Sequence, residues 1–382
     1  MTSPDWRPHA ESLAAEVAHP QSRWRPAIAS TPRHVFVPRW WGDGADGRTL
    51  GVGAGDPERW MRVAYSNTSL VTRIGSRHAD HAEPGEKADG VPTSSSTLPW
   101  LVMRMYQHAK LADDSRTLVT TGSGYGTALA CHRLTDALVT SIDVDPYLVA
   151  AATERLDSIG LRPTVRVCDI TGPLPGTYDR VVSTVSLPSV PAPLLAALNP
   201  GGRLVTTLAD TGLILTADKR ADGGAVGQVE CEGAGFMTAH HGDGYPPGPF
   251  EEMGAFKEKF EEKSDSEESV SPYPVVDVRQ AWELWSTFSL EVPGVEHRFQ
   301  RGDSRRTAWM AHPDGSWAKA TALRDEPAHV VQGGPRRLWD ELDRIRRQWL
   351  VDGRLHAYGA RASITPDGVL TLSRGGWSVT VG

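Results

Sequence analysis

Residues Thr120 to Thr127 read Thr-Thr-Gly-Ser-Gly-Tyr-Gly-Thr, and Asp143 follows Gly124 by nineteen residues. Glycines let a backbone approach a ligand that any side chain would strike. A carboxylate one strand further on can accept from both hydroxyls of a ribose. Leu118 and Val119 lead into the glycines, a helix-compatible stretch from Ala128 to Leu134 leaves them, and a second apolar run, Ala137 to Ile142, ends in the acid. This is the layout of a nucleotide-type cofactor site at the carboxyl ends of parallel strands. The glycines alternate as Gly122, Gly124 and Gly126, unlike the Gly-x-Gly-x-x-Gly of dinucleotide sites. An ATP loop needs a lysine, and none stands between Lys110 and Lys219. The spacing and flanks suit S-adenosylmethionine better than either, with an ordinary strand-to-helix turn as the plain alternative.

Upstream, Thr93-Ser94-Ser95-Ser96-Thr97 sets five hydroxyls in a row before Leu98-Pro99-Trp100. Capping of a helix that starts at the proline would use one or two of them. The same helix end would favour an anion through its exposed amides and dipole, so a carboxylate substrate is the natural guest. Other reactive residue types are less ordered. His78-x-Asp80-His81 offers metal-ligand chemistry, but no second cluster completes a site, and the stretch reads as a solvated loop. Cys131, Cys168 and Cys231 are too few and too scattered for a disulfide framework or a zinc site.

The elements that must position these groups alternate. Strands are expected at Leu118 to Thr121, Ala137 to Ile142, Thr164 to Val167, Arg180 to Thr184 and Arg203 to Leu208. Helices are expected at Leu98 to Ala109, Thr127 to Leu134, Pro146 to Ile159 and Ala192 to Leu198. Such alternation builds a parallel α/β sheet of the Rossmann-like, doubly wound kind. Residues 93–230 are assigned to this cofactor-binding core. Residues 1–92 form an N-terminal region: helices at Ala10 to Val17 and Ser22 to Ser30, an extended Thr31 to Pro38, a glycine-rich loop from Gly42 to Gly55, and a short extended piece within Ala64 to Ile74. Residues 231–270 are read as an acidic linker. Its Glu251 to Ser269 portion carries eight acids against three lysines; Met253, Phe256 and Phe260 fall at helical spacing, and Ser264 to Ser269 reads as solvated. Residues 271–382 are read as a C-terminal α+β extension. It has two Pro-Asp-Gly turns between strands and a helix from Pro335 whose Leu338, Leu342, Ile345 and Trp349 share one face.

Composition limits the classes. The chain has 382 residues, 23% charged and 39% hydrophobic, with a net charge of −7. Nonspecific nucleic-acid binding needs basic surface and is not expected. No apolar run reaches the roughly 18 residues of a membrane helix, and the amino terminus lacks signal-peptide character, so a cytoplasmic protein is expected. Thirteen tryptophans all lie outside the stretch between Trp100 and Trp282. Most are assigned to the cores of the flanking regions, although tryptophan also suits peptide-binding surfaces.

Several motifs together resemble the protein-L-isoaspartate (D-aspartate) O-methyltransferase family over roughly residues 30–210. They are Pro32-Arg-His-Val-Phe-Val-Pro38, Thr97-Leu-Pro99, Thr121-Gly-Ser-Gly-Tyr125, Asp143-Val-Asp-Pro146, Asp169, Tyr178-Asp-Arg-Val-Val182 and Asn199-Pro-Gly-Gly-Arg-Leu-Val205. The resemblance implies a class I S-adenosylmethionine-dependent methyltransferase. It places Thr121, Gly122, Ser123, Gly124 and Tyr125 around the methionine part of the cofactor. Asp143 and Val144 fall at the ribose, and Asp169 with Ile170 at the adenine. Ser94 and Thr97 also approach the cofactor, while Ser95, Ser96 and Thr97 orient the substrate carboxylate as the catalytic set. Thr120 replaces the family's first glycine, Leu118 stands where an acid is usual, and Thr97 replaces serine. With Tyr65-Ser-Asn-Thr-Ser-Leu-Val-Thr72 and the long C-terminal region, these departures resemble a divergent branch. Its members sit beside ATP-grasp (graspetide) maturases or lanthipeptide synthetases and tailor ribosomal peptides. The implied partner is a cyclised precursor peptide in which an aspartate is esterified and collapses to a succinimide (aspartimide). The implied alternative is repair of isoaspartate in damaged proteins. A third reading is a non-catalytic cofactor-fold partner whose tryptophans serve an interface; the retained Asp143 and the hydroxyl run argue against it.

Overall fold

The computed structural model describes residues 5–44, 47–239, 266–354 and 357–381. Its centre is a ten-stranded sheet. Five strands are parallel, in the spatial order Leu198–Leu208, Tyr178–Leu187, Thr117–Thr120, Val139–Asp143, Thr164–Val167. The chain therefore leaves Thr117–Thr120 toward one edge and returns on its other side at Tyr178–Leu187. Between these two strands the winding reverses, and a doubly wound sheet opens a crevice at such a point. The sequence-predicted strands and helices of the core all form, with ends shifted by a few residues.

Both faces of strands Leu198–Leu208, Tyr178–Leu187 and Thr117–Thr120 are covered, which is why they carry apolar runs rather than strict alternation, whereas the edge strand Thr164–Val167 is largely exposed. Val119, Val182 and Val205 face a core shared with Leu101, Val102 and Met105 of helix Pro99–Ala109 and with Leu129 of helix Tyr125–Arg133. Leu118, Val181 and Leu204 face a second core with Leu194 and Leu195. Leu118 thus stands in a dry core, where an ionised carboxylate would be costly.

The N-terminal region is more ordered than its composition suggests. Helices Arg7–Val17 and Trp24–Ser30 form as expected. Thr31 to Pro38 is not extended, because Arg33–Phe36 closes a 3-10 turn. The Gly42 to Gly55 stretch is a hairpin of Arg39–Gly44 and Gly47–Val52. The helix after the hydroxyl run begins at Pro99 as expected, but the hydroxyls do not cap it. Pro92–Ser96 is a strand that pairs antiparallel with Leu70–Ile74 in a six-stranded N-terminal sheet, so the expected boundary at residue 92 cuts through an element. The His78–His81 stretch is no solvated loop either. His78 is buried and bonds Asp145 at 3.0 Å, and Asp80 meets Arg155 and the Tyr147 hydroxyl. It fastens the N-terminal sheet to helix Pro146–Ser158.

The C-terminal boundaries also move. Strand Ala225–Gly233 contains the first residues of the expected linker and lies within the central sheet. Residues 266–351 form a separate unit: a five-stranded antiparallel sheet from Ser266–Ser271 to Ala328–Gly333, packed against helices Trp282–Glu291 and Leu338–Val351. The chain then returns to the central sheet, because Arg361–Ile364 pairs with Ala225–Gly233 and Leu370–Arg374 and Trp377–Val381 follow. The α+β unit is therefore an insertion, and the final strands complete the core. It docks through Trp285 Nε1 and Ser286 Oγ, which donate to the carbonyls of Asp210 and Thr211 at 2.8 and 2.6 Å. The helical reading of Met253, Phe256 and Phe260 lies outside the described residues. Ser266 to Ser269, expected to be solvated, is exposed at three of its four positions but belongs to an edge strand. Five tryptophans (Trp24, Trp40, Trp41, Trp317 and Trp339) are buried, Trp282 is exposed, and the others are half-buried.

Candidate active site

The crevice holds an open cavity of about 800 Å³. Its lining is divided by the order of the strands. Val144, Leu148, Asp169 and Ile170 line the side of Val139–Asp143 and Thr164–Val167. Thr120 and Thr184 line the floor at the reversal, and Thr93, Ser94, Ser95 and Thr97 come from the hydroxyl strand. The remaining wall, Phe236 to Ala239, follows strand Ala225–Gly233 and is held by backbone bonds on both sides of Ser186.

The glycine turn is built as its composition demands. Gly122 and Gly124 take φ of 51° and 92°, in the left-handed region that other residues rarely adopt. A Cβ on Gly124 would lie 3.1 Å from Ala152 and 3.2 Å from Phe36, and one on Gly122 would point at the Ser95 carbonyl, 3.6 Å away. The turn and the hydroxyl strand thus approach backbone to backbone. Asp143 accepts from the Gly122 amide at 3.0 Å and from the Asp145 amide at 3.1 Å. Burial nevertheless pushes its carboxyl up to about 6. Asp169 accepts from the amide and hydroxyl of Thr171 at 2.8 and 2.7 Å.

Of the expected cofactor and catalytic residues, the structure brings Ser94, Ser95, Thr97, Gly122, Asp143, Val144, Asp169 and Ile170 to the cavity. Ser96, Thr121, Ser123, Gly124 and Tyr125 do not line it. Ser96 is buried, with its hydroxyl unpaired among the described residues. Thr121 bonds Ser141 at 2.6 Å behind the turn. The Tyr125 ring lies beneath the Arg33 guanidinium, 5.3 Å from centroid to carbon. These five shape the turn and its support rather than the opening.

The hydroxyls of Ser94, Ser95 and Thr97 are not spent on capping because other groups do it, while Thr93 donates to the Gly75 carbonyl at 2.7 Å. The Leu98 amide donates to Ser69 Oγ and the Trp100 amide to Asn67 Oδ1, each at 3.1 Å. Both acceptors come from the Tyr65-Ser-Asn-Thr-Ser stretch. Under it lies Arg33, a residue the sequence marks only as part of a motif. It is wholly buried and donates to the carbonyls of Ala64, Ser66, Thr68, Ser96 and Thr97 at 2.7–3.3 Å. Burial lowers its pKa to about 10, which leaves it charged at neutral pH. One guanidinium therefore fixes both the capping loop and the end of the hydroxyl strand. His34 beside it bonds the Tyr65 hydroxyl at 2.7 Å, and burial lowers its pKa to about 4. Asp145 performs a similar service below: Arg73 meets it at 2.7 Å while it caps helix Pro146–Ser158. Nothing in the sequence singles out Phe236 to Ala239.

Comparisons with known proteins agree with this geometry. Residues 83–243 match the family model described as protein-L-isoaspartate(D-aspartate) O-methyltransferase. Protein-L-isoaspartate O-methyltransferase 2 of Pelobacter propionicus is 36% identical over 161 residues, which span 41% of this chain and 69% of that protein. The chain belongs to the protein-L-isoaspartate O-methyltransferase family. Protein-L-isoaspartate O-methyltransferase 1 of Archaeoglobus fulgidus is 27% identical over 202 residues, 52% of this chain and 76% of its own. A solved protein-L-isoaspartate O-methyltransferase aligns over 98% of both chains at 16% identity, with a TM-score of 0.49.

As a member of this family the protein is a carboxyl O-methyltransferase that uses S-adenosylmethionine. The cavity fits that cofactor by the chemistry of its donors and acceptors. Asp143 presents a carboxylate, the glycine turn leaves room for close approach, and Val144, Leu148 and Ile170 are apolar beside Asp169. No group of three or more His, Cys, Asp or Glu side chains suited to a metal occurs among the described residues. No described helix is long and apolar enough to cross a membrane.

Proposed function

We propose that the protein esterifies an aspartate side chain of a ribosomally made, cyclised peptide, and that the ester then closes to a succinimide. The observation that carries this reading is the hydroxyl strand, released from capping by Asn67 and Ser69 and set against the glycine turn. The bound cofactor supplies an electrophilic methyl group on a sulfonium. Asp143 holds the ribose, Val144 and Leu148 flank it, and Asp169 with Ile170 addresses the adenine. Gly122 presents its backbone to the methionine part. Ser94, Ser95 and Thr97 donate to one oxygen of the substrate carboxylate and leave the other to attack.

No general base is required, because a carboxylate with a pKa near 4 is already ionised at neutral pH. The chain's task is orientation and exclusion of water. One C–O bond forms as the methyl–sulfur bond breaks, and both charges are cancelled. In the second step the nitrogen of the next residue attacks the ester carbonyl, and methoxide leaves with the amide proton as methanol. That closure is intramolecular and needs no residue of the enzyme.

Support for an unmodified aspartate in a dedicated peptide comes from the chain's departures from its family. Thr120 and Leu118 replace a glycine and an acid, and the inserted unit over residues 266–351 lies outside the family match. Repair of isoaspartate is the second reading, favoured by the relatives' being protein-L-isoaspartate O-methyltransferases. Purified protein with the cofactor is offered an isoaspartyl peptide and a cyclised, aspartate-bearing precursor, and masses are followed. Gain of a methylene and later loss of methanol on the precursor alone supports tailoring. Efficient methylation of the isoaspartyl peptide alone supports repair and overturns the tailoring reading.

A further inference from the structure

The cavity floor carries a pair of side chains to which the family pattern assigns no role. Thr120 and Thr184 face each other across the point where the sheet reverses, with their hydroxyl oxygens 2.7 Å apart. The pairing depends on a break in register. Tyr178–Leu187 loses its regular partnership with Leu198–Leu208 between Val182 and Ser186. There Ser183 turns inward, and its hydroxyl donates to the Val185 carbonyl at 2.8 Å. The Thr184 amide donates instead to Thr120 Oγ1 at 2.8 Å. A glycine at position 120 would leave that amide without this acceptor.

Counting protons on the pair gives a definite result. Each hydroxyl has one proton to donate and two lone pairs. One proton lies between the two oxygens. If Thr120 donates it, the Thr184 proton is unspent. If Thr184 donates it, Thr120 Oγ1 accepts from both the amide and the hydroxyl, and its own proton is unspent. Either way one O–H is left over, and both residues line the cavity. The donor already accepts one or two hydrogen bonds, which polarises it and strengthens what it gives.

We infer that Thr120 and Thr184 together form a carboxylate-holding donor at the cavity floor, a positioning element additional to the hydroxyl strand. The inference rests on the reading of this cavity as the methyl-transfer site. Two carboxylates enter such a cavity, that of the methionine part of the cofactor and that of the substrate, and the chemistry of recognition is the same for both. A hydrogen bond to a charged acceptor is worth enough to change affinity between about tenfold and about a hundredfold.

The test uses the full chain, with Thr120→Val/Thr184→Val removing both hydroxyls at nearly constant shape, because either threonine alone keeps one O–H, and with Thr120→Ser/Thr184→Ser keeping both. Calorimetry measures binding of S-adenosylhomocysteine and of 5′-methylthioadenosine, which lacks the amino-acid carboxylate. If the pair holds the methionine carboxylate, Thr120→Val/Thr184→Val loses at least tenfold for the first ligand and little for the second, and Thr120→Ser/Thr184→Ser restores the difference. If it holds the substrate carboxylate, both ligands bind all variants alike. KM for the methylated peptide then rises at least tenfold in Thr120→Val/Thr184→Val, against a smaller change in kcat, and Thr120→Ser/Thr184→Ser recovers it. An unchanged preference between the two ligands together with an unchanged KM overturns the inference. Should wild-type protein methylate neither peptide, the functional reading fails by itself. The pair is then decided by calorimetry alone, where an unchanged preference overturns it.

Discussion

Replacing Arg33 by lysine removes the fork that joins the capping loop to the hydroxyl strand while keeping the charge. Arg33 reaches five carbonyls through two terminal nitrogens. An ammonium has three protons, so Arg33→Lys leaves at least two of those carbonyls unpaired. An unpaired buried acceptor costs about 1–3 kcal/mol, giving a loss of about 2–6 kcal/mol. The lower half of that range applies, because the Ser66, Thr68 and Thr97 bonds are only part-buried. Such a loss is a large share of the stability of an ordinary domain. Urea unfolding followed by tryptophan fluorescence at pH 7 measures it. Arg33→Met discards the charge and every donor, and is expected to lose at least as much. Since Ser96 and Thr97 are among the partners, peptide KM is expected to rise more than the dissociation constant of S-adenosylhomocysteine. An Arg33→Lys protein within about 1 kcal/mol of wild type, with unchanged KM, refutes the clamp.

Other outcomes follow from the same contacts. Asp143 has its pKa raised to about 6 by burial, and only the ionised form accepts from both ribose hydroxyls. Calorimetric affinity for S-adenosylhomocysteine should therefore fall as pH drops from 7 through 6, and Asp143→Asn should flatten that profile. Stability runs the opposite way, since a raised acid pKa favours the protonated folded state: this group's contribution is present below the unfolded value and lost as pH rises through 6. Asn67→Ala and Ser69→Ala each remove one cap of helix Pro99–Ala109 and should cost about 1 kcal/mol by urea unfolding. Full stability in the double variant would show that the hydroxyl run can take over as cap.

The sequence is informative where local chemistry decides structure. Glycines at Gly122 and Gly124 announce a turn because glycine adopts its left-handed φ values without the strain other residues bear, and the apolar runs at Leu118 and Val181 announce strands buried on both faces. It misleads where partners are distant. Five hydroxyls before Pro99 read as the approach to a helix amino terminus, with one or two of them as caps, yet they form a strand because Leu70–Ile74 lies alongside and Asn67 and Ser69 already serve the helix. The expected C-terminal extension likewise hides two destinations, since pairing of Arg361–Ile364 with Ala225–Gly233 spans more than a hundred residues of chain. Arg33 shows the same limit at one side chain. Its type and motif are visible in the sequence, but the carbonyls it gathers come from two distant stretches of chain and become visible only in the fold.

The most direct test of the account is where the methyl group goes. S-adenosylmethionine bearing a deuterated methyl is incubated with the cyclised precursor, and the label is located by tandem mass spectrometry before the ester closes. The account predicts label on an aspartate side-chain oxygen. It also predicts strongly reduced transfer in Ser95→Ala/Thr97→Val protein that still binds S-adenosylhomocysteine normally. Label on nitrogen or sulfur, or undiminished transfer by the double variant, would contradict it.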